Sequence, residues 1–434
     1  MEALGIGLLI LIVLMVMGVP VAMAFGVLAL FLVTWFQMDP GFLMPTAFYK
    51  IKSVVLLAIP FFIMVGGLMG TGGLAARLID FIDAFVGRIR GGLGAVTVAA
   101  CAMFGAIGGT CSAAVAAIGT IMIPRMEEHG YSRGHATALV SCSSILGQLI
   151  PPSVPMILFA FVTLQSIPGC WLATVGPGIL TIIIFSILNY FMVRNLPSLV
   201  IRPGLGFKEE TKQIGRATYH GSFALLLPVI ILGGVYGGIF TPTESACIGV
   251  LYVIPVSYFI LKQLTLKGLG RSFISTATTT GVLVIMLFFV MITSRILTLE
   301  QIPQQMATWL IAVSPNKYVI LIMTNVFLLI IGMLMDDVSG TVLTAPLLFP
   351  IMQAIGVHPL HFAAITGVNL GLGNVTPPTA PILYLGGRIG NCPIEKYIKP
   401  ALILMWGGML PVLLVTTYWP ELSLFLPRLA GFVH

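Results

Sequence analysis

Two stretches of this 434-residue chain carry residue types and spacings that can do chemistry: GQLIPPSVPMIL, from Gly147 to Leu158, and GNVTPPTAPILY, from Gly373 to Tyr384. Each holds a Pro-Pro pair and a third proline three residues on, inside a long apolar segment. Proline has no N–H and clashes with the turn before it, so Pro151-Pro152 and Pro377-Pro378 are each predicted to break a helix. A broken helix leaves carbonyls and amides unpaired. In hydrocarbon, such backbone survives only where protein buries it or it lines a wet cavity. Freed carbonyls suit a sodium ion, a hard cation that needs several oxygens, and the helix N-termini after the break suit an anion. Hydroxyl and amide side chains gather nearby: Ser141, Ser143, Ser144 and Gln148 at the first break, Asn369, Asn374 and Thr376 at the second. Of these, Ser143, Gln148, Asn369 and Asn374 are the expected substrate contacts.

The two stretches are copies. Pro124, His135 and Pro151 recur as Pro350, His361 and Pro377 at a constant offset of 226, and residues 122–158 match 348–384 at ten positions, four of them proline. Shared apolar composition does not align prolines, so the chain reads as a duplicated unit. Upstream, at the matched offset, lie Gly108, Gly109, Thr110 and Ser112 in one copy and Asp336, Asp337, Ser339, Gly340 and Thr341 in the other. A carboxylate at the bilayer centre costs on the order of 2.5–3.5 kcal/mol. Two adjacent ones imply a purpose there, or a shallower position. Kinked, closely packed helices are the plainer account of any one motif. Four features repeated at one offset favour an ion and substrate site.

The surrounding elements must be membrane helices. Charged residues are 8% of the chain and hydrophobic ones 58%, against about 25% charged in soluble domains. Apolar runs long enough to cross a bilayer recur from end to end, and they are continuous rather than alternating, which excludes a β-barrel. The net charge of +7 sits in short loops that orient the chain and does not indicate nucleic-acid binding. Six scattered cysteines show no C-x-x-C spacing, so no disulfide framework or zinc site is expected. Glu2 precedes the first apolar run, which is therefore read as a membrane segment and not a signal peptide. No Walker A, Ser/His/Asp or H-E-x-x-H pattern points to an enzyme.

In chain order the expectation is an apolar stretch over 4–36 interrupted at Gly18-Val19-Pro20, polar punctuation over 37–52, a helix over 54–70 and an amphipathic connector over 71–90. A hairpin over 91–123 follows, then the first Pro-Pro segment and a helix over 172–193. The loop from Arg194 to Arg216, with five basic residues, and the cluster Lys262, Lys267 and Arg271 mark the cytoplasmic side. Further helices are expected over 272–293, 318–333, 340–355, 361–386 and 400–418. Arg88, Arg90, Arg125 and Arg133 bracket the hairpin, so it should enter and return. The matched loop Ile351–His361 has no Lys or Arg. Equivalent loops of opposite charge bias signify an inverted-topology repeat, although Lys317 runs against it. The fold class is thus an all-α polytopic membrane protein whose inverted repeats each hold a re-entrant hairpin and a proline-broken helix. The units divide as 1–90 and 201–316, two scaffold arms, and 91–200 and 317–434, two halves of a transport domain.

Over essentially its whole length the sequence resembles the large membrane subunit of tripartite ATP-independent periplasmic (TRAP) transporters, the DctM-like family. The marks are GVPVAMAFG, IPFFIMVGGLM, RGGLGAVTVAACAMFGAIGGTCSAAVAAIG, LIPPSVPMIL, GGIFTPTESA and NLGLGNVTPPTAP, in that order. The resemblance implies a sodium-coupled symporter of small organic anions in the bacterial inner membrane, working as an elevator, with sodium as coupling ion and no other cofactor. It implies a small four-helix membrane partner, expected as a separate chain, and a periplasmic binding protein. Carried onto this chain, it places one sodium at Gly108, Thr110 and Ser112 with Gly147, Ile150 and Pro152. The other falls at Asp337 and Ser339 with Gly371, Gly373 and Thr376, and substrate lies between the hairpin tips. GGTCS departs from the family's consecutive serines, which leaves the ligating hydroxyl open. A stand-alone sodium/dicarboxylate carrier and a non-transporting assembly subunit remain the competing readings.

Other residues have plainer roles. His135 and His361 are expected to cap helices, Glu244 to sit in the first turn of one, and Arg295 to lie at the membrane interface. Asn374-Val375-Thr376 fits a glycosylation sequon only in form, at a membrane break.

Overall fold

The computed structural model describes residues 2–87, 90–197, 199 and 207–433. Among them every regular element is helical. Gly18, in the left-handed region at φ 84°, and Pro20 split the first apolar run into α1 (Glu2–Val16) and α2 (Val21–Trp35). The expected punctuation over 37–52 is instead largely α3 (Pro40–Ile51). Asp39 caps it by accepting from the Gly41 N–H at 2.8 Å, with Pro40 preset for the first turn. A 3-10 turn, Val54–Leu57, leads into α4 (Ala58–Thr71), and the amphipathic connector is α5 (Leu74–Val86). Asp80 and Asp83 of α5 hold Arg125 at 3.0 and 2.7 Å, tying the connector to the hairpin beyond it.

That hairpin is α6 (Gly92–Gly108) and α7 (Cys111–Glu128), packed side by side. The chain reverses in two residues. Gly109 adopts φ 65°, which a side chain would strain, and extended Thr110 caps α7 by accepting from the Ala113 N–H at 3.3 Å. Next come α8 (Arg133–Ser143), α9 (Leu146–Leu149), the break, α10 (Val154–Thr163) and α11 (Ile167–Val193), the chain bending by 40° at the break.

The second half repeats this order. It runs α12 (Phe207–Tyr236), α13 (Pro242–Pro255) with a π turn at Val256–Ile260, α14 (Leu266–Leu299) and α15 (Ile302–Val313). The second hairpin is α16 (Lys317–Leu334) and α17 (Asp337–Ala354), and the second broken helix is α18 (Pro359–Val375) with α19 (Pro381–Ile389). Then α20 (Ile394–Leu404), a π turn at Met405–Met409, α21 (Leu410–Tyr418) and α22 (Glu421–Leu429) close the chain. Both Pro-Pro bonds are cis. Among the described residues six helical stretches, 54–71, 167–193, 242–260, 266–299, 317–334 and 394–418, are long and apolar enough to cross a membrane.

The two copies interlock. α10 packs on α17 while α19 packs on α7; α11 packs on α18 while α20 packs on α8; α13 packs on α4 while α2 packs on α14. Each of these contacts has its counterpart with the copies exchanged, as expected of two repeats related by a pseudo-two-fold axis. The centre belongs to the broken helices. All residues from Gly134 to Leu149 and from Leu360 to Thr376 are buried, the signature of helices enclosed on every side.

Several expectations need correction. The basic loop ends before Phe207, so Lys208, Lys212 and Arg216 stand on α12, and Arg271 belongs to the second turn of α14. Arg88 and Arg202 lie outside the described residues. The two histidines do not cap. Ser132 caps α8 and His358 caps α18, which frees the buried rings to staple neighbouring helices. His135 Nε2 meets Asn189 Oδ1 at 2.9 Å, Asn189 donates to Gly91 O at 2.9 Å, and His361 Nε2 meets Thr416 O at 2.8 Å. Glu244 does start a helix, in a reciprocal capping box with Thr241. The inverted arrangement has a direct test. Single cysteines at the exposed positions Glu128 and Gln353, in a background lacking other reactive thiols, should label with a membrane-impermeant maleimide from opposite faces. Labelling from one face would refute the inversion.

Candidate functional site

Proline chemistry dictates the first half of the site. Pro151 and Pro152 stand four residues after Gly147 and Gln148 and offer those carbonyls no N–H. The first hairpin tip presses against this gap. Val154 N–H donates to Gly109 O at 2.9 Å, a Cβ on Gly147 would lie 2.7 Å from Thr110 O, and one on Gly109 would lie 2.8 Å from Pro152 O. Only residues without a side chain permit so close an approach. Gly108, Thr110, Gly147, Ile150 and Pro152 are thus gathered at one junction. The carbonyls of Gly108, Gly147, Ile150 and Pro152 accept no hydrogen bond among the described residues. Buried carbonyls with two free lone pairs are the donor set that a hard cation takes. Thr110 is 8% exposed and its hydroxyl caps α7, whereas Ser112 is exposed and faces outward.

The second half is built alike from different side chains. A Cβ on Gly373 would lie 2.5 Å from Gly332 Cα, so α16 and α18 touch backbone to backbone. With its amide oriented to satisfy both groups, Asn374 donates to Met335 O at 2.8 Å and accepts from Asp337 N–H at 3.0 Å, pinning the second tip to the break. Asp337 is 4% exposed; its carboxyl lies against the Cys111 N–H and thiol of the first tip, and its Oδ2 has no hydrogen-bond partner among the described residues. Ser339 is buried beside Asp336. Thr376 N–H donates to Gly373 O at 2.9 Å and its hydroxyl to Leu372 O at 2.6 Å. Gly371 packs against Gln148. A buried carboxylate oxygen left open is costly and fits a bound cation.

The expected substrate contacts Ser143, Gln148, Asn369 and Asn374 do not line an open cleft; all four are 0% exposed. Gln148 donates to Gly367 O at 2.8 Å, bridging the two broken helices, and Asn369 donates to Asn325 Oδ1 at 2.8 Å and to Ile365 O at 3.2 Å. Helices buried on all sides turn every polar side chain into packing. The cleft lies elsewhere. A cavity of about 440 Å³ separates the hairpin tips, through Thr110, Ser112, Asp336 and Asp337, from a wall made by α4 and α14. Arg271, Ser272, Ser275, Thr276 and Thr279 of α14 line it. Sequence reasoning missed them, although the run RSFISTATTT places hydroxyls at helical spacing in an otherwise apolar span. Arg295 stays off the cleft, its guanidinium 5.7 Å from the Phe42 ring centroid.

Residues 8–422 match the family model of the tripartite ATP-independent periplasmic transporter, DctM component. The chain is 35% identical over 417 residues to an isethionate TRAP transporter permease protein, DctMQ, of Oleidesulfovibrio alaskensis, covering 95% of this chain and 64% of that protein, so it spans less than two thirds of that relative. It is 37% identical to a C4-dicarboxylate TRAP transporter large permease protein, DctM, of Pseudomonas aeruginosa, covering 88% of each. It is 33% identical to the sialic acid TRAP transporter large permease protein, SiaM, of Vibrio cholerae, covering 87% of each. The YdaH transporter of Alcanivorax borkumensis shares the fold with a TM-score of 0.63 at 15% identity, over 87% of this chain and 86% of that one.

The close junctions make a stability prediction. Gly147→Ala and Gly373→Ala force a Cβ into backbone and should each cost roughly 1–3 kcal/mol. Gly233→Ala, whose Cβ would meet nothing within 4 Å, should be neutral or stabilise by about 0.5–1 kcal/mol. Thermal unfolding of the detergent-solubilised protein reads the difference.

Proposed function

We propose that this chain, which belongs to the DctM family of tripartite ATP-independent periplasmic transporters, imports a small organic anion by sodium symport across the bacterial inner membrane. The family comprises transporter permeases and not enzymes, and the chain is a multi-pass membrane protein. The observation that carries the reading is the open carbonyl set at the first break together with the free Asp337 oxygen at the second. One sodium sits among Gly108, Thr110, Gly147, Ile150 and Pro152, with Ser112 at its rim. The other sits among Asp337, Ser339, Gly371, Gly373 and Thr376. Bound there, the two cations satisfy carbonyl and carboxylate oxygens that would otherwise stay buried without a partner. They also place positive charge beside the cleft where the anion binds.

Residues 91–200 and 317–434 form one moving body in this reading, and 1–90 with 201–316 form the scaffold. What supports the division is the exchange of half-helices between the two hairpins, which ties the former pair together. The cleft runs along the seam between body and scaffold, where an elevator step would carry the substrate past α14. A small membrane subunit and a periplasmic binding protein complete the assembly, as the tripartite family description implies.

Flux in reconstituted vesicles tests this. An inward sodium gradient should drive uptake of an organic anion delivered by its cognate binding protein, and collapse of that gradient should abolish it. Asp337→Asn and Thr110→Ala should each raise the sodium concentration for half-maximal uptake about tenfold, near 1.4 kcal/mol per site. Uptake indifferent to sodium, or unchanged in both variants, would refute the coupling.

A further inference from the structure

We infer that the cleft selects a small organic monoanion bearing hydroxyl groups over a dicarboxylate, Arg271 receiving the acid group and Asp336 turning a second one away. The inference rests on the reading of this cleft as the transport site and assigns its specificity. A volume of about 440 Å³ suits a small ligand. Among the described residues that line it, Arg271 is the sole cation, and it makes no ion pair with any described carboxylate. Its planar fork is therefore available to the two or three oxygens of a carboxylate or sulfonate.

From Arg271 the wall continues as Ser272, Ser275, Thr276 and Thr279, offsets of 1, 4, 5 and 8 residues along one helix face. With a rise of about 1.5 Å per residue, this polar track runs about 12 Å along the helix from the backbone of Arg271 to that of Thr279. Thr279 already donates to Ser275 O, leaving its oxygen to accept, while the hydroxyls of Ser272, Ser275 and Thr276 make no hydrogen bond among the described residues. Such groups pair with hydroxyls and offer no charge to a second acid. The facing wall opposes one. Asp337 is turned toward Cys111, but Asp336 is half-buried on the cleft surface. A dicarboxylate anchored at Arg271 would bring its far carboxylate into this small space with Asp336, a like-charge contact. A hydroxyl there would instead donate to Asp336.

The exposed wall residue Ser275 provides the assay. Ser275→Cys is labelled with maleimide in detergent-permeabilised membranes carrying the full-length chain in sodium chloride, with the unsubstituted chain as the blank. Isethionate (2-hydroxyethanesulfonate) and succinate are the protecting anions. Isethionate should protect at concentrations at least about tenfold lower than succinate. Arg271→Gln should remove that protection, and Arg271→Lys should restore part of it. Asp336→Asn, which keeps a good helix-capping residue, should bring succinate to within about threefold of isethionate. Equal or better protection by succinate in the Ser275→Cys chain, or an unchanged ratio in Asp336→Asn, would overturn the charge rule alone. Protection by neither anion at a thiol that labels freely would overturn the cleft as transport site.

Discussion

A peptide group without a hydrogen-bond partner cannot be left in hydrocarbon, and this fold is arranged around two places where proline makes such groups unavoidable. Pro151-Pro152 and Pro377-Pro378 interrupt helices whose residues ahead of the break, 134–149 and 360–376, are all buried. The fold answers by pushing a hairpin tip into each gap. At the first, the contact is almost purely backbone, Val154 N–H to Gly109 O with Gly147 under Thr110. At the second, a side chain mediates it, Asn374 bridging Met335 and Asp337. The same need to settle orphaned peptide groups thus has two chemical solutions in the two copies. Only the second brings a carboxylate along. The pair is unequal in charge although equal in architecture.

Much of this was legible in the residues themselves. Proline and glycine act through the backbone, so their positions reveal breaks and reversals without knowledge of packing; the tips at Gly109 and Asp336 and both breaks fall where the repeat places them. Side-chain direction is another matter. Ser143, Gln148 and Asn369 stand near the breaks in sequence, yet neighbouring helices on all sides bury them, Gln148 and Asn369 in interior hydrogen bonds and Ser143 with its hydroxyl unpartnered among the described residues. A polar residue within a turn of a break can face either way, and only tertiary packing decides. Charge misled for a similar reason. Arg271 reads as part of a loop cluster with Lys262 and Lys267, but α14 begins at Leu266 and carries it onto a helix face. The segment around α3 was hidden because its helical stop and start signals, Asp39 and Pro40, also suit a loop.

The scaffold is not an exact copy of itself. In the first arm α3, a 3-10 turn and α4 cover what the second arm spans with the single 34-residue α14. That continuous helix can display five polar residues in register along one wall of the cleft, which a segmented one could not. In the proposed reading, asymmetry in the scaffold supplies a selectivity that the symmetric hairpins do not, since backbone oxygens can distinguish ions but not organic groups.

The exchange of half-helices has a consequence for how such a chain can exist at all. α10 lies on the hairpin of the opposite copy and α19 returns the favour, so each half supplies a surface that the other lacks. One half alone would expose a bed with nothing in it and a strand of helix with nowhere to lie. Two identical halves, by contrast, could satisfy each other across a dyad, as any isologous pair does. Fusion of the two into one polypeptide then frees each half to diverge, one keeping bare peptide oxygens and the other acquiring an aspartate, without losing the embrace that makes them a single body.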